Sequence, residues 1–437
     1  DTGVFAACGI DGYLIHHLEG GALKTPLDPG SLFATEVGNE KDYIATRVAY
    51  AMNLTGPAMT INSACSSGLV AVAQASQSIL SGACDMAIAG ASSLTFPNMG
   101  FLYEDDLVYS RDGHVRPFDQ RANGTVFGDS VAAVVLKTLD EASEGGDHIY
   151  AVVDGSAVTN DGSVKAGYTA PAASGQSEAI VRAQSAAGVS ARAISYVECH
   201  ATATTIGDAI ELRGLAEAFG RSTDDKAFCA LGSVKGNIGH ANCAAGLTGL
   251  IKTALCLRNR QLVPTAHYKT LNDKIPLAGS PFFVNEALRD WAPDSAISGP
   301  LRAGVSSFGI GGTNAHCVLR EWTPENRDKT SGSPVRNCHV LTVSARTEQS
   351  LQDELRQLTQ FVATGSAAGL ADVAYTLHVG REEYPHRAAV VARDGAVPPA
   401  AESATSGKAG PSPSVIFAFP GQGSQYLNMG RGLYEAE

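Results

Sequence analysis

Strand-like and helix-like segments alternate along residues 1–320, and this alternation constrains the fold more than any other feature of the sequence. Short apolar runs such as 194–198 have the length of buried strands, and longer helical patterns such as 208–219 follow them and stop at a glycine. Regular alternation of this kind is typical of layered α/β domains. We therefore predict an α/β fold of two halves with related layouts, although the halves show no evident sequence similarity.

The same patterns give approximate bounds for the individual elements. Strands are predicted at 58–62, 85–89, 131–137, 149–153, 194–198, 228–232, 282–285, 302–305 and 315–319. Helices are predicted at 65–81, 174–187, 208–219 and 244–257.

The chain changes character after residue 320. The polar segment 321–335 is rich in Pro, Gly and Ser and predicts a linker, and 338–394 returns to an ordered pattern with a helix over 348–362 between strands at 339–345 and 388–391. A second loose stretch is predicted at 396–414, and VIFAFPGQGSQ then opens a further element.

Composition excludes several classes of protein. The 437 residues carry 32 basic and 44 acidic side chains, a net charge of −12, which argues against a nucleic-acid binder. No apolar run approaches the roughly 18–20 residues that a membrane span needs. The nine cysteines are scattered and form no C-x-x-C pair, so neither a disulfide scaffold nor a metal site is expected. A reducing, cytoplasmic compartment is the expectation.

Cys65 is the first candidate for chemistry. In NSACSSGLVAV, residues 62–72, it stands where a strand-like run gives way to an apolar helix. The free N–H groups of a helix N-terminus lower a thiol's pKa and can hold an oxyanion. A buried structural cysteine is the competing interpretation.

His200 and His240 occupy matched positions, each after a predicted strand and before a helix. They lie in VECHATATTIGDAIEL, residues 197–212, and GSVKGNIGHANCAAGL, residues 232–247. Open α/β sheets place ligand chemistry at the carboxyl ends of their strands. From the pattern alone, catalytic and structural roles for this pair are equally favoured.

A glycine-rich loop lies in GVSSFGIGGTNAHCVL, residues 304–319. Backbone N–H groups in such a loop can face an anion, and the loop can act as a gate or form a simple hairpin. It completes no phosphate-binding motif.

These four segments, in this order, resemble the β-ketoacyl synthase (ketosynthase) domain of modular type I polyketide synthases. That family has a T-A-C-S-S-S-L elbow and E-A-H-G-T-G-T, K-S-N-I-G-H and G-V-S-S-F-G-x-x-G-T-N-A-H blocks. GNEKDYIATRVAY at 38–50 and DGHVRPFDQRANGTVFGDS at 112–130 are also similar to it. The resemblance implies three regions: ketosynthase at 1–320, ketosynthase–acyltransferase linker domain at 321–412, and the beginning of an acyltransferase at 413–437.

The resemblance implies a thiolase-like fold of two pseudo-symmetric α/β halves and decarboxylative Claisen condensation between two thioesters. Cys65 would then carry the acyl chain, and His200 and His240 would serve a malonyl-type extender. The backbone N–H groups of Cys65 and Phe308 would form an oxyanion hole, and the Phe308 side chain would be a gate or, alternatively, a core aromatic.

Other matched positions receive supporting roles from the same resemblance. Lys235 would act electrostatically through Glu198 or Glu211, and Asn237 belongs to the same block as Lys235. Thr202 and Thr204 would contact a phosphopantetheine arm. The implied partner is an acyl carrier protein that carries this arm, with no cofactor bound directly, and the implied assembly is a homodimer.

The sequence departs from the family at three motifs. Ala201 and Ala203 replace the glycines of H-G-T-G-T, so we expect negative φ angles or a shifted loop there. Ala209 replaces a proline, and Gly236 replaces a serine.

The family's opening strand and helix have no counterpart before Asp1, and the acyltransferase motif G-H-S-x-G does not occur. We therefore expect an excerpt of a multienzyme that does not itself transfer malonyl groups from malonyl-CoA. A non-elongating ketosynthase and an inactive scaffold stay open as alternatives. The acyl substrate is not predicted, since it depends on residues such as Phe96, Met99 and Phe101 whose placement the sequence does not fix.

Overall fold

The chain forms two compact units, Asp1–Thr323 and Pro324–Glu437. The computed structural model describes residues 1–19, 29–98, 100–105, 107–294, 299–323, 337–364, 369–394, 401–410, 417–431 and 434. Met99 and most of the predicted linker 321–335 lie outside these residues. No helix in the described ranges is both long and apolar enough to cross a bilayer.

The first unit contains two mixed sheets and a short ribbon. Its strands are β1 Thr2–Cys8, β2 Ala58–Thr60, β3 Met86–Ser93, β4 Ser130–Lys137, β5 Val152–Asn160, β6 Tyr196–Glu198, β7 Cys229–Gly232, β8 Gln261–Leu262, β9 Phe282–Val284, β10 Arg289–Asp290, β11 Arg302–Phe308 and β12 Thr313–Arg320. Its α-helices are α1 Pro29–Asn39, α2 Ile44–Met52, α3 Ser67–Leu80, α4 Leu139–Gly145, α5 Ala173–Ala186, α6 Gly207–Gly220, α7 Lys235–Ile238 and α8 Ala245–Asn259.

The two sheets share one topology. The first has the order β2-β1-β3-β4, and the second has the order β5-β12-β11-β6-β7-β9. In the first sheet β2, β1 and β3 are parallel to one another and β4 is antiparallel to β3. In the second sheet β7, β6 and β11 are parallel in the same way, and β12 is antiparallel to β11. The predicted two-half layout is therefore confirmed. Strand β5 extends the second sheet beyond β12, whereas β4 ends the first sheet.

Helices α3 and α8 lie between the sheets and cross at two glycines. A Cβ atom added at Gly68 would lie 3.1 Å from the Cβ of Leu247, and one added at Gly246 would lie 2.9 Å from the Cβ of Leu69. Leu69 and Leu247 are fully buried in the core between the sheets. Only residues without side chains allow this close approach.

The crossing reveals a sequence repeat that the local patterns do not predict. ACSSGL at 64–69 and NCAAGL at 242–247 each begin with a 3₁₀ turn and lead into α3 or α8. Their first residues, Ala64 and Asn242, have φ angles of 53° and 45°. The two segments are short and far apart in the sequence, so their similarity is noticed only when the fold shows that they occupy equivalent positions.

Most predicted elements of the first unit are confirmed, with shifted ends. The strand expected at 149–153 starts instead at Val152 and runs to Asn160. Strand β1 was not predicted, although it is central to the first sheet, because its residues TGVFAAC carry few of the large apolar side chains that signal a strand.

The second unit has an antiparallel sheet in the order β13-β14-β15, covered by two helices. Its elements are β13 Cys338–Ala345, α9 Glu348–Ala363, α10 Leu370–Val379, β14 His386–Arg393 and β15 Thr405–Lys408. Leu351 and Leu355 of α9 are buried against the sheet, and Thr347 caps the helix by accepting the Ser350 N–H.

Two expectations for this unit need correction or fall away. The stretch 396–414, predicted to be loose, contains β15, which pairs with β14 through backbone hydrogen bonds that its polar sequence does not signal. The opening residues of VIFAFPGQGSQ lie partly outside the described ranges, and residues 417–420 form no strand.

We predict that Gly246→Ala destabilises the first unit by about 1–3 kcal/mol, because its methyl group would press on Ser307 and Leu69. Urea denaturation followed by tryptophan fluorescence measures the change. Gly220→Ala is the matched control, since its methyl group would meet no atom within 4 Å. Equal stability of the two variants would contradict the crossing described above.

Candidate active site

Cys65 sits on the 3₁₀ turn Ala64–Ser66 that joins β2 to α3. Ala64 occupies the left-handed region, which costs a non-glycine residue about 1–2 kcal/mol. The Ser67 hydroxyl stabilises the turn by accepting the Ser63 N–H at 2.8 Å and donating to the Ala64 carbonyl at 2.7 Å. From β11, the Ser307 hydroxyl donates to the Cys65 carbonyl at 2.8 Å. The thiol is thus held rigidly.

The structure brings Cys65, His200 and His240 together. Nε2 of His240 lies 3.2 Å from the Cys65 sulfur, and one ring nitrogen of each histidine and the sulfur all lie within 4.8 Å of one another. The two rings are perpendicular, with centroids 5.5 Å apart. His200 follows β6 and His240 follows α7, so the two histidines are 40 residues apart in the sequence and only the fold brings them together.

Burial raises the pKa of the Cys65 thiol above its ordinary value. The nearby Lys235 ammonium and the backbone N–H groups of Ile310 and Cys65 act in the opposite direction but do not overcome it. The expectation of a lowered pKa at the helix end is therefore wrong, because Cys65 is only 5% exposed to solvent. A base beside the sulfur is needed, and His240 is in place to act as one.

Both imidazoles are neutral near pH 7. Burial, followed by repulsion from Lys235, holds the pKa of His200 and of His240 well below the usual range. The Nδ1 atoms of both rings are buried and have no hydrogen-bond partner among the described residues. Because no partner fixes the proton on Nδ1, Nε2 of His240 can accept a proton in one step and donate one in another.

Two buried carboxyl groups hold the backbone around His200. Glu211 accepts the N–H groups of His200 and Ala201, both at 2.7 Å, and Asp208 accepts those of Ala203 and Phe118 at 3.0 and 2.9 Å. Burial raises the pKa of Glu211 to about 7 and that of Asp208 to about 6. Carboxylate acceptors on α6 therefore hold the loop that carries His200. Glu211 acts on the site by binding backbone N–H groups of this loop.

Lys235 is buried on the short helix α7, and burial lowers its pKa despite the attraction of Glu211 and Glu198. The expected electrostatic role is consistent with this position, but the direct ion-pair partner of Glu198 is Lys252, at 2.7 Å. The Glu198 carboxylate also accepts the Val234 N–H at 2.6 Å. Lys252 was not predicted, because nothing in a helix pattern marks one lysine as facing inward.

The glycine-rich loop is a tight hairpin turn between β11 and β12. Phe308 is 6% exposed, pairs with Asn314 across the strands, and places its ring 5.8 Å from that of His200. The N–H group beside the sulfur belongs to Ile310, not to Phe308, and the Ile310 side chain is 52% exposed. The expected oxyanion group is therefore corrected from Phe308 to Ile310, because strand pairing holds Phe308 in β11 and leaves Ile310 at the turn. The gate role of the Phe308 side chain stays a prediction.

The remaining expected residues, Thr202, Thr204 and Asn237, differ in burial. The hydroxyls of Thr202 and Thr204 are 3.3 Å apart and half-buried, whereas Asn237 is exposed on α7. Ala203 adopts φ = 59°, so the expectation of negative φ is wrong at this position, and Asp208 stabilises the strained peptide. Asn242 was missed: its Oδ1 lies 3.8 Å from the sulfur.

Comparisons with known proteins identify the family. The β-ketoacyl synthase N-terminal domain matches residues 1–142, the β-ketoacyl synthase C-terminal domain 150–269, and the CurL-like polyketide synthase C-terminal family 339–396. A ketosynthase of the bacillaene polyketide synthase of Bacillus amyloliquefaciens is 35% identical, with a TM-score of 0.80 over 90% of this chain and 67% of that one. The chain belongs to the β-ketoacyl synthases of polyketide synthases. It is thus an acyltransferase-class enzyme with a thiolase-like fold.

Two further relatives agree with this assignment. The ketosynthase is 43% identical to a phenolphthiocerol/phthiocerol polyketide synthase component of Mycobacterium tuberculosis, over 100% of this chain and 31% of that protein. It is 40% identical to polyketide synthase PksM of Bacillus subtilis, over 80% of this chain and 8% of that protein. The chain therefore spans less than a third of these relatives.

We predict that Gly309→Ala disrupts the ketosynthase site, because a Cβ atom there would lie 2.2 Å from the Ser63 carbonyl and push the turn away from the thiol. Displacement by about 1 Å can cost on the order of 100-fold in rate, so acylation of Cys65 should slow by that factor. Gly167→Ala, at a glycine with no neighbour within 4 Å, should react at the wild-type rate. Rapid-quench mass spectrometry with an acyl-pantetheine thioester measures both rates, and unchanged acylation of Gly309→Ala would refute the packing argument.

Proposed function

We propose that this ketosynthase catalyses decarboxylative condensation of an acyl chain on Cys65 with a malonyl-type extender. The observation that carries the proposal is a buried thiol close to two imidazoles: the Cys65 sulfur and one ring nitrogen each of His200 and His240 lie within 4.8 Å of one another. A nucleophile beside two neutral N–H donors matches the needs of both half-reactions.

In the first half-reaction, His240 accepts the thiol proton and the sulfur attacks the carbonyl carbon of an acyl thioester. The backbone N–H groups of Ile310 and Cys65 face the sulfur and hold the oxyanion that forms. The C–S bond to the leaving phosphopantetheine thiol breaks, and that thiol receives the proton from His240. Cys65 is left as a thioester, and His240 is neutral again.

In the second half-reaction, a malonyl thioester loses carbon dioxide and the bonding electron pair passes into an enolate. The imidazoles of His200 and His240, both neutral, donate hydrogen bonds to the enolate oxygen as its charge grows. The enolate carbon attacks the acyl carbonyl, and collapse of the adduct expels the Cys65 thiolate. The product is a β-ketoacyl thioester on the extender's carrier, and the Cys65 thiolate takes up a proton that comes from solvent.

The proposed partner is an acyl carrier protein whose phosphopantetheine arm delivers both thioesters. The hydroxyls of Thr202 and Thr204, which are half-buried and 3.3 Å apart in the loop after His200, support a role in hydrogen bonding to this arm. The chain itself would bind no cofactor directly.

Cellular setting and assembly are also proposals. All nine cysteines are free thiols, which supports a cytoplasmic location. Exposed apolar side chains such as Tyr50, Met52 and Leu102 support a homodimer, because such surface is commonly covered by a partner. We further propose residues 1–320 as the ketosynthase, 321–412 as the linker domain and 413–437 as the start of an acyltransferase.

We predict that an acyl-pantetheine thioester modifies Cys65 alone, because Cys65 is the thiol with two imidazoles beside it. Peptide mapping by mass spectrometry identifies the site. Iodoacetamide would be a poorer probe, because Cys338 is exposed and would react without catalysis. Cys338→Ser should acylate normally and Cys65→Ala should not; acylation surviving in Cys65→Ala would refute the assignment.

We predict that His200→Ala lowers carbon dioxide release from malonyl-pantetheine by about 10²–10³-fold, since one oxyanion donor is lost. Acylation of Cys65 should persist, because His240 remains 3.2 Å from the sulfur. His378→Ala, at an exposed histidine of α10, is the control. Wild-type protein that acylates but releases no carbon dioxide would support the non-elongating alternative instead.

A further inference from the structure

The catalytic cluster also has the composition and spacing of a transition-metal site. One thiol and two imidazoles are ligands that Zn²⁺ prefers, and their donor atoms lie within 4.8 Å of one another. Tetrahedral coordination at the usual Zn–S and Zn–N lengths needs sulfur and nitrogen about 3.5 Å apart. The Cys65–His240 separation of 3.2 Å is close to this value, and the His200 nitrogen, within 4.8 Å of both other donor atoms, would move closer when the metal binds.

A second observation concerns the Nδ1 atoms of the two rings. His240 is 3% exposed, and the buried Nδ1 atoms of His200 and His240 have no partner among the described residues. Because Nε2 of His240 faces the sulfur, the His240 ring can keep its proton on Nδ1 and present the lone pair of Nε2 to a cation, and His200 has a ring nitrogen within 4.8 Å of both atoms. No hydrogen bond would have to break at Nδ1 for the metal to bind.

The charged groups around the cluster partly attract and partly repel a divalent cation, which favours weak, reversible metal binding. The Cys65 thiolate, together with the carboxyl groups of Glu211 and Glu198, offsets part of a divalent charge, while the buried Lys235 opposes it. Three protein ligands leave a fourth position open, as in catalytic rather than structural zinc sites. Such a site would bind more weakly than a closed four-ligand site.

We propose that Cys65, His200 and His240 form a three-ligand site for Zn²⁺ or a similar thiophilic divalent cation, and that occupancy reversibly blocks the thiol. On binding, the S–H bond of Cys65 breaks, its proton passes to solvent, and a Zn–S bond forms without any change of oxidation state. The sequence predicts no metal site, because the three ligands come from separate segments. The proposal depends on geometry and stands whether or not the condensation chemistry is confirmed.

The test is a titration of the full chain with Zn²⁺ against a chromophoric chelator. We expect one Zn²⁺ per chain in the wild type, and binding at least about 100-fold weaker in Cys65→Ala and in His200→Ala. Cys243→Ala is the matched control, because Cys243 holds the position in the repeat that Cys65 holds in its own copy. Wild-type affinity in Cys65→Ala, or no binding by the wild type, would overturn the proposal.

Cobalt substitution supplies a readout that does not depend on the variants folding. The wild type with Co²⁺ should show visible bands of tetrahedral cobalt and a thiolate-to-cobalt charge-transfer band in the near ultraviolet. Prior acylation of Cys65 by an acyl-pantetheine thioester should abolish the charge-transfer band, and EDTA should restore free thiol reactivity. An octahedral spectrum without the charge-transfer band would contradict the assigned ligands.

Discussion

The close crossing of helices α3 and α8 is the packing constraint on which the rest of the ketosynthase depends. Gly68 meets Leu247 and Gly246 meets Leu69, so each helix start is held against the other. Cys65 lies in the turn before α3 and Asn242 lies in the turn before α8, with His240 two residues earlier. A wider crossing would separate the sulfur from Nε2 of His240, and the thiol would lose the base that its burial makes necessary.

Two buried carboxyl groups hold the loop that carries His200, and they lose their hydration by being buried. Glu211 and Asp208 accept four backbone N–H groups around His200, while burial raises the pKa of both. Their ionised forms are stabilised by these hydrogen bonds and by Lys235. Burial, and after it repulsion from Lys235, lowers the pKa of both imidazoles. One network of charges therefore shapes the His200 loop and adds to the effect of burial on the protonation of the donors.

Sequence motifs predicted the participants better than their geometry. Cys65, His200 and His240 could be named because each stands in a motif that resembles the ketosynthase family, although His240 follows helix α7 and not a strand. Three features could not be predicted: the left-handed φ of Ala203, the role of Ile310 in place of Phe308, and the Glu198–Lys252 ion pair. They depend on strand register and on which side chain faces inward. The raised pKa of Cys65 was missed for a related reason: a helix end is visible in a sequence, whereas the burial that outweighs it is not.

The most direct test of this account is a crystal structure of the chain acylated at Cys65 by an acyl-pantetheine thioester. We expect the acyl carbonyl oxygen within about 3.2 Å of the backbone nitrogens of Cys65 and Ile310, with both imidazoles facing the open side of the thioester. An acyl oxygen directed away from these nitrogens, or histidine rings that do not border the thioester, would contradict it.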